Sequence, residues 1–222
     1  MKTIFKLFII AILIAYSQNQ CVAQDHTDKR AGRKAFISLH SGAFFPSIDG
    51  FKDTYHSPCA FINGISLGIP FTNEEIFFYL KGMYFQKSGN PITYHFEYDE
   101  QTGITNKYTT QERDVTVTWR QWFVNMGVQY NLKFGLTNII LFNGGLTLAK
   151  VSEKTSDSSV SFDSGGFLPG CFLGIGYEKR ILDKLSLFSE FQYNFDLPIL
   201  MLLGIREGGA NLNVGVRYYF NQ

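Results

Sequence analysis

The residues of this 222-residue chain that could do chemistry fall into three groups. The first is His40, His56 and His95, with Ser41 next to His40. A histidine within hydrogen-bond reach of a serine could serve as the base for a nucleophile, the chemistry a lipid-modifying enzyme would need. The spacing does not bring such a set together. His40 reads as an interior polar residue, and His56 and His95 as solvated loop residues. The second group is Lys81, Glu178, Glu190 and Arg217. Two cations and two carboxylates on one interior face would pair, because an unpaired charge there is costly. They would form either a structural salt-bridge cluster that plugs a lumen or the selectivity element of a small pore. The third group is Cys59 and Cys171, which lie far apart in apolar stretches. One disulfide is possible after export, but two unpaired buried thiols are the expectation. No CxxC and no Cys/His spacing points to a metal, and no motif points to a cofactor.

What must position these residues is a set of strands. Apolar residues alternate with small or polar ones through most of the chain, and no helical period outlasts a turn or two after residue 34. The alternation predicts strands near 35–45, 60–69, 76–87, 115–132, 139–151, 166–178, 185–195 and 211–222. Each is long enough for the 9–11 residues that a tilted strand needs to cross a bilayer, and 115–132 exceeds it. On the last one, Leu212, Val214, Val216, Tyr218 and Phe220 share a face opposite Asn213, Gly215, Arg217 and Tyr219. Strands seven and eight are neighbours, which brings Glu190 and Arg217 within reach of each other.

Three features choose the solvent. Short connections (70–75, 133–138, 179–184) alternate strictly with long ones (46–58, 88–114, 152–165, 196–208), which puts all long loops at one end of an up-and-down barrel. The apolar face carries no charge at its central positions, whereas the Gly/Ser/Asn/Gln face suits a packed, narrow interior. A lipocalin would invert these faces. Aromatics gather near both strand ends: Tyr177, Phe188, Tyr218, Phe220, Phe71 and Phe134 near the short turns, and Trp119, Trp122, Tyr84, Phe85, Phe44 and Phe45 near the long loops. Two interfacial girdles would give this distribution. The loop at 88–114 itself alternates at Ile92, Tyr94, Phe96 and Tyr98, predicting that strands three and four extend beyond the membrane as a hairpin.

Composition agrees. Aromatics make up 16% and charged residues 18% of the chain, against about 25% charged in ordinary soluble domains. A net charge of +1 gives no long-range field for nucleic acid. The amino terminus predicts a secretory signal over 1–23: Lys2 and Lys6, an apolar run from Leu7 to Ala15, and Cys21-Val22-Ala23 with cleavage after Ala23. A polar lead-in follows over 24–34, and the barrel domain occupies 35–222. The expected fold is therefore all-β, an eight-stranded antiparallel up-and-down transmembrane β-barrel in a bacterial outer membrane. Length alone gives no reason for a second domain.

The ending Asn213-x-Gly215-x-x-Tyr218-x-Phe220 resembles the C-terminal signal that the barrel-assembly machinery reads on bacterial outer-membrane proteins. Phe78–Gly89, Gly170–Arg180 and Asn213–Phe220 resemble the family of small Gram-negative barrels that includes PorT-like proteins. One departure is that Asn221 and Gln222 follow the last aromatic. The resemblance implies outer-membrane lipid and the assembly machinery as partners, with a structural, envelope-biogenesis or secretion-linked role and a further envelope or secretion protein as partner. Two other readings stay open: a small-solute channel, and a soluble lipocalin-like ligand binder.

Overall fold

The computed structural model describes residues 35–48, 50–71, 75–90, 92–99, 104–111, 115–134, 137–156, 161–163, 167–197 and 208–220. For 92–99, 104–111 and 161–163 only the backbone pairing is described. The signal and cleavage position expected at Ala23, and the lead-in to residue 34, lie outside these residues.

Eight strands form one closed sheet. They are β1 (Phe36–Pro46), β2 (Ala60–Pro70), β3 (Ile76–Gly89), β6 (Val117–Phe134), β7 (Asn138–Thr155), β9 (Leu168–Arg180), β10 (Leu185–Asp196) and β11 (Gly209–Tyr219). Each pairs antiparallel with its neighbours in sequence, and β1 pairs with β11 from Phe36↔Tyr219 to Pro46↔Gly209. That last ladder removes the free edges and makes the sheet a barrel. The alternation seen in the sequence sets the register, since a one-residue slip would exchange the two faces of a strand.

The short connections after β2, β6 and β9 all lie at one end. The turns after β2 and β9 are held by backbone bonds, Phe71 N–H to Ile76 O at 2.8 Å and Ile181 N–H to Leu185 O at 2.9 Å. The long connections carry structure of their own. A one-turn helix, α1 (Phe51–Tyr55), follows β1. Strands β4 (Ile92–Asp99) and β5 (Ile104–Gln111) pair as a separate hairpin, and β8 (Ser161–Asp163) adds to β7. The hairpin is therefore not a continuation of the barrel strands around it. β3 stops at Gly89, and Asn90 Nδ2 donates to Val115 O at 3.0 Å across its neck. Pro91 follows in sequence, and it has no N–H to offer a ladder.

The barrel wears its apolar residues outside. Leu39, Phe61, Leu146 and Val214 are each more than 60% exposed. Inside are Arg217, Lys81, Glu178, Glu190 and a dense set of Asn and Gln, all buried. Glycines make room for the largest interior groups. Gly68 sits beneath the Phe36 ring, and a side chain on it would collide with that ring. A Cβ at Gly215 would lie 2.8 Å from both His40 Cβ and Phe188 Cε1.

Several side chains depart from the sequence-based expectations. Phe44, Phe85, Trp119 and Phe188 belong to the buried interior and not to an outer girdle. Each shares the strand parity of the interior residues, so pleating turns it inward whatever its height on the strand. Outside, Phe71, Phe134, Tyr177, Tyr218 and Phe220 ring the short-turn end, while Phe45 and Trp122 stand near the long loops. Cys59 and Cys171 are unpaired, and Cys171 is exposed on the outer face instead of buried.

Candidate functional site: the barrel interior

The interior is a stack of layers. At the long-loop end Phe44, Ile62, Met83, Phe85, Phe123, Ala149 and Val151 fill the lumen. The ring of Phe44 lies 4.7 Å from that of Phe85 and 5.2 Å from that of Phe123. Helix α1 sits over them. Gly50, at φ 79°, begins it and His56, at φ 54°, ends it. Phe51 and Tyr55 are buried, and Phe51 meets the Trp119 ring edge-on at 6.5 Å. The Tyr55 hydroxyl donates to Glu153 Oε1 at 2.8 Å. Burial and the Glu153 carboxylate together push the Tyr55 phenol well above its ordinary value.

Below this plug lies a net of amides. Thr147 Oγ1 donates to Asn125 Oδ1 at 2.5 Å, Asn125 Nδ2 to Asn194 Oδ1 at 3.3 Å, and Gln192 Nε2 to the same oxygen at 2.8 Å. Then come the charges. Lys81 Nζ, from β3, donates to Glu190 Oε1 on β10 across the lumen, and to Gln192 Oε1 at 3.1 Å. Glu190 Oε2 accepts from Asn143 Nδ2 at 3.0 Å and from the Tyr79 hydroxyl at 3.4 Å. Nearer the short turns, Arg217 Nη1 donates to Glu178 Oε2 at 2.6 Å and Nη2 to Gln129 Oε1 at 3.2 Å. Glu178 Oε1 accepts from the Tyr219 hydroxyl at 2.6 Å. The guanidinium is held between two rings, 3.9 Å from the Phe36 centroid and 4.9 Å from that of Phe188. Phe36, Phe77, Tyr79, Phe172 and Tyr219 cluster at this end.

Glu190 and Arg217 do not pair with each other. Adjacent strands alone do not set height. The β10–β11 register puts Glu190 opposite Asn213, and Arg217 opposite Ser186, so the two lie at different levels. Each instead finds a partner elsewhere: Glu190 takes Lys81 from the opposite wall, and Arg217 takes Glu178 from two strands away. The neutral groups that complete these pairs, Tyr79, Asn143, Gln129 and Tyr219, were visible in the sequence only as members of the interior parity. Which of them would reach a charge depends on register and stagger, and strand alternation carries neither.

Both pairs are fully buried. Such pairs persist only with good geometry and further hydrogen bonds to the remaining donors and acceptors. With aromatic clusters at both ends, this arrangement fills the lumen and ties opposite walls together.

His40 and Ser41 face opposite ways, as consecutive strand residues must. His40 is buried in the lumen, its ring edge-on to Phe188 at 6.3 Å, while the Ser41 hydroxyl points outward and donates to Asn63 Oδ1 at 2.7 Å. They cannot act as base and nucleophile on one substrate. His56 is exposed behind α1, and the side chain of His95 lies outside the described residues. Among the described residues no group of three His, Cys, Asp or Glu is arranged to hold a metal. The C-terminal residues Asn213 and Gly215 face the lumen from β11, and Tyr218 and Phe220 stand on its outer face at the short-turn end.

No family model matches the chain, and no curated protein sequence matches it. Solved structures do share its fold. Neisserial surface protein A superposes with a TM-score of 0.55 at 11% identity, over 84% of this chain and 97% of that one. Ail, the attachment invasion locus protein of Yersinia pestis, superposes with a TM-score of 0.51 at 12% identity, over 85% and 99%. At these identities the likeness concerns architecture: a closed, eight-stranded, antiparallel barrel.

Proposed function

We propose that this chain is an integral outer-membrane β-barrel whose role is structural or interaction-based, with its long loops presented on one side. A single observation carries the reading: the barrel is turned inside out relative to a water-soluble one. Large apolar side chains cover its outer wall, and charged pairs and amides occupy its interior. An apolar surface of that extent is stable against lipid and a liability in water. Closure of the sheet satisfies the backbone groups that a bilayer could not. At roughly 3.3 Å per residue and a tilt near 40°, the strand interval from Trp122 to Phe134 rises about 30 Å, close to a hydrocarbon core. The two neighbours named above, a surface protein and an attachment protein, are in keeping with a loop-presenting barrel.

The filled lumen argues against a diffusion channel, because paired charges and ring clusters occupy the space a solute would need. Apolar residues outside and charges inside argue equally against a lipocalin-like binder. The C-terminal residues Asn213, Gly215, Tyr218 and Phe220 serve as the address for barrel assembly, and cleavage after Ala23 releases the exported chain. A link to envelope biogenesis or secretion rests only on the resemblance of short segments to PorT-like proteins. The direct test is cell fractionation followed by gel electrophoresis without boiling. Recovery in the membrane fraction, with migration that shifts on heating, supports the reading. Recovery in the soluble periplasmic fraction without detergent would overturn it.

A further inference from the structure

We propose that the chain pairs with a second copy of itself in the membrane, through the outer wall of β1, β2 and β3 around Asn63. The inference rests on the membrane reading above. Asn63 points outward from β2 and is exposed. Ser41, its cross-strand neighbour on β1, donates from Oγ to Asn63 Oδ1 at 2.7 Å. Asn63 Nδ2 finds no acceptor among the described residues. A carboxamide has two N–H donors and an oxygen that accepts twice, so both donors and one lone pair face outward.

Register sets the depth of this amide. The outward row that leaves β7 at Ile140, beside Tyr177, passes through Ser41, Asn63 and Tyr84. It returns to β7 at Lys150, beside Trp122. The row therefore climbs toward the long loops, by about 3 Å per strand for strands 4.8 Å apart and tilted near 40°. Asn63, two strands back from Trp122, lies roughly 6 Å below it, and Ser41 roughly 9 Å below. Phe45, further up β1, comes out level with Trp122, and both rings are exposed. The amide thus sits under the aromatic girdle, where lipid tails supply no acceptor. Between the levels of Tyr177 and Trp122 the described outer-wall residues include no charge and no other carboxamide.

An unpaired amide in hydrocarbon is costly and marks a contact. Two features select a second copy as the partner. Every copy inserts with its long loops on the same side, so the Asn63 amides share one depth. A group that both donates and accepts is its own complement across a two-fold axis. Each Nδ2 can donate to the other copy's Asn63 Oδ1 or Ser41 Oγ. The relief of the wall fits the same axis, which sets β1 of one copy against β3 of the other at equal depth. The climb of the row puts Ser41 level with Gly82, and Ala43 level with Tyr84. A Cβ on Gly82 would meet nothing within 4 Å. Small Ser41 therefore faces an open glycine, which lets the walls approach at the level of the amides. The Tyr84 ring faces small Ala43. Phe61 above Asn63 and Ile65 below it meet their own counterparts and shield the amides from lipid.

The test uses the full mature chain in phosphatidylcholine vesicles, in a Cys59→Ser/Cys171→Ala background with Asp183→Cys as labelling position on a short turn. Energy transfer between donor- and acceptor-labelled molecules is followed as lipid dilutes the protein. The parent should show transfer well above chance proximity. Asn63→Leu, checked for heat-modifiable folding, should weaken association by about tenfold, and Asn63→Gln should weaken it less. Ala43→Phe, which fills the space facing Tyr84, should also weaken it, whereas Leu146→Phe on β7 should not. Association unchanged by Asn63→Leu would overturn the proposal. Should that variant fail to fold, Ala43→Phe alone must weaken association. A parent at chance proximity at every dilution would also overturn it, and would leave the amide to a lipid or a different membrane protein. Insertion as a monomer counts against this contact alone, whereas failure to insert would remove the membrane reading as well.

Discussion

Arg217 on β11 and Glu178 on β9 meet at 2.6 Å although β10 runs between them. A contact that skips a strand needs two long side chains on the same face with a small residue between them, and Ser186 on β10 is that residue, opposite Arg217. Tyr219 and Gln129 complete it, one on the carboxylate and one on the guanidinium. The pair therefore ties β11 to β9 across β10.

Removing one partner should cost more than removing both. Arg217→Leu leaves the Glu178 carboxylate buried without its cation and is expected to destabilise the barrel by about 3–5 kcal/mol. Arg217→Leu/Glu178→Leu should recover most of that loss. Urea unfolding in lipid vesicles, followed by the heat-modifiable gel shift, measures both. Equal losses in the single and double variants would sink the pairing.

Lys81 and Glu190 form the second pair, with their own amide and phenol partners. Lys81→Met should destabilise the barrel by a similar amount. Combined with Arg217→Leu, the losses should add if the two networks act independently. A coupling energy well above about 0.5 kcal/mol would show that the lumen responds as one network.

The layered lumen predicts no steady conductance. In planar bilayers the wild type should leave the membrane closed. Phe44→Ala, which removes the ring between Phe85 and Phe123, should cost about 3–5 kcal/mol in stability as a buried cavity forms. It should not open a pore, because the amide and charge layers below remain. Defined single-channel steps from the wild type would revive the channel reading.

The outer wall should resist charge by depth. Leu146→Arg, at a highly exposed position on the middle of β7, is expected to cost about 2–4 kcal/mol in a bilayer. Lys154→Gln, near the long loops, should cost little. Comparable effects at both positions in lipid unfolding titrations would argue against a bilayer around the wall.

The α1 cap gives a pH dependence of known sign. The Tyr55 phenol has its pKa raised in the fold, first by burial and then by Glu153. Its stabilising contribution is thus complete below the unfolded value near 10 and declines as pH climbs above it. Trp122→Phe leaves Trp119, beside Phe51, as the one tryptophan of the chain's two. Its emission should shift to the red above about pH 10, and Tyr55→Phe should weaken that alkaline response. An identical response in the Tyr55→Phe background would remove the phenol from the explanation.

Strand number, order of long and short connections, and the inward or outward sense of nearly every strand residue could be read from the chain, because period-2 alternation and turn length encode them locally. Arg217 inward and Val216 outward follow from parity alone. Partner choice was not legible. Glu178 and Arg217 lie 39 positions apart, and only the accumulated register of β9, β10 and β11 brings them level. The same limit explains Phe44, Phe85, Trp119 and Phe188. Position near a strand end suggested an interface, yet parity turns each ring into the lumen.

The most direct test of the central claim is a cysteine scan along β11. In a background of Cys59→Ser and Cys171→Ala, single cysteines at 211 to 218 would carry a spin label in vesicles, with collision rates measured against oxygen and against a water-soluble nickel complex. The account predicts oxygen access at 212, 214 and 216 with little nickel access, and occlusion from both at 211, 213 and 217. Nickel access at 212, 214 and 216 would place that face in water and contradict the account.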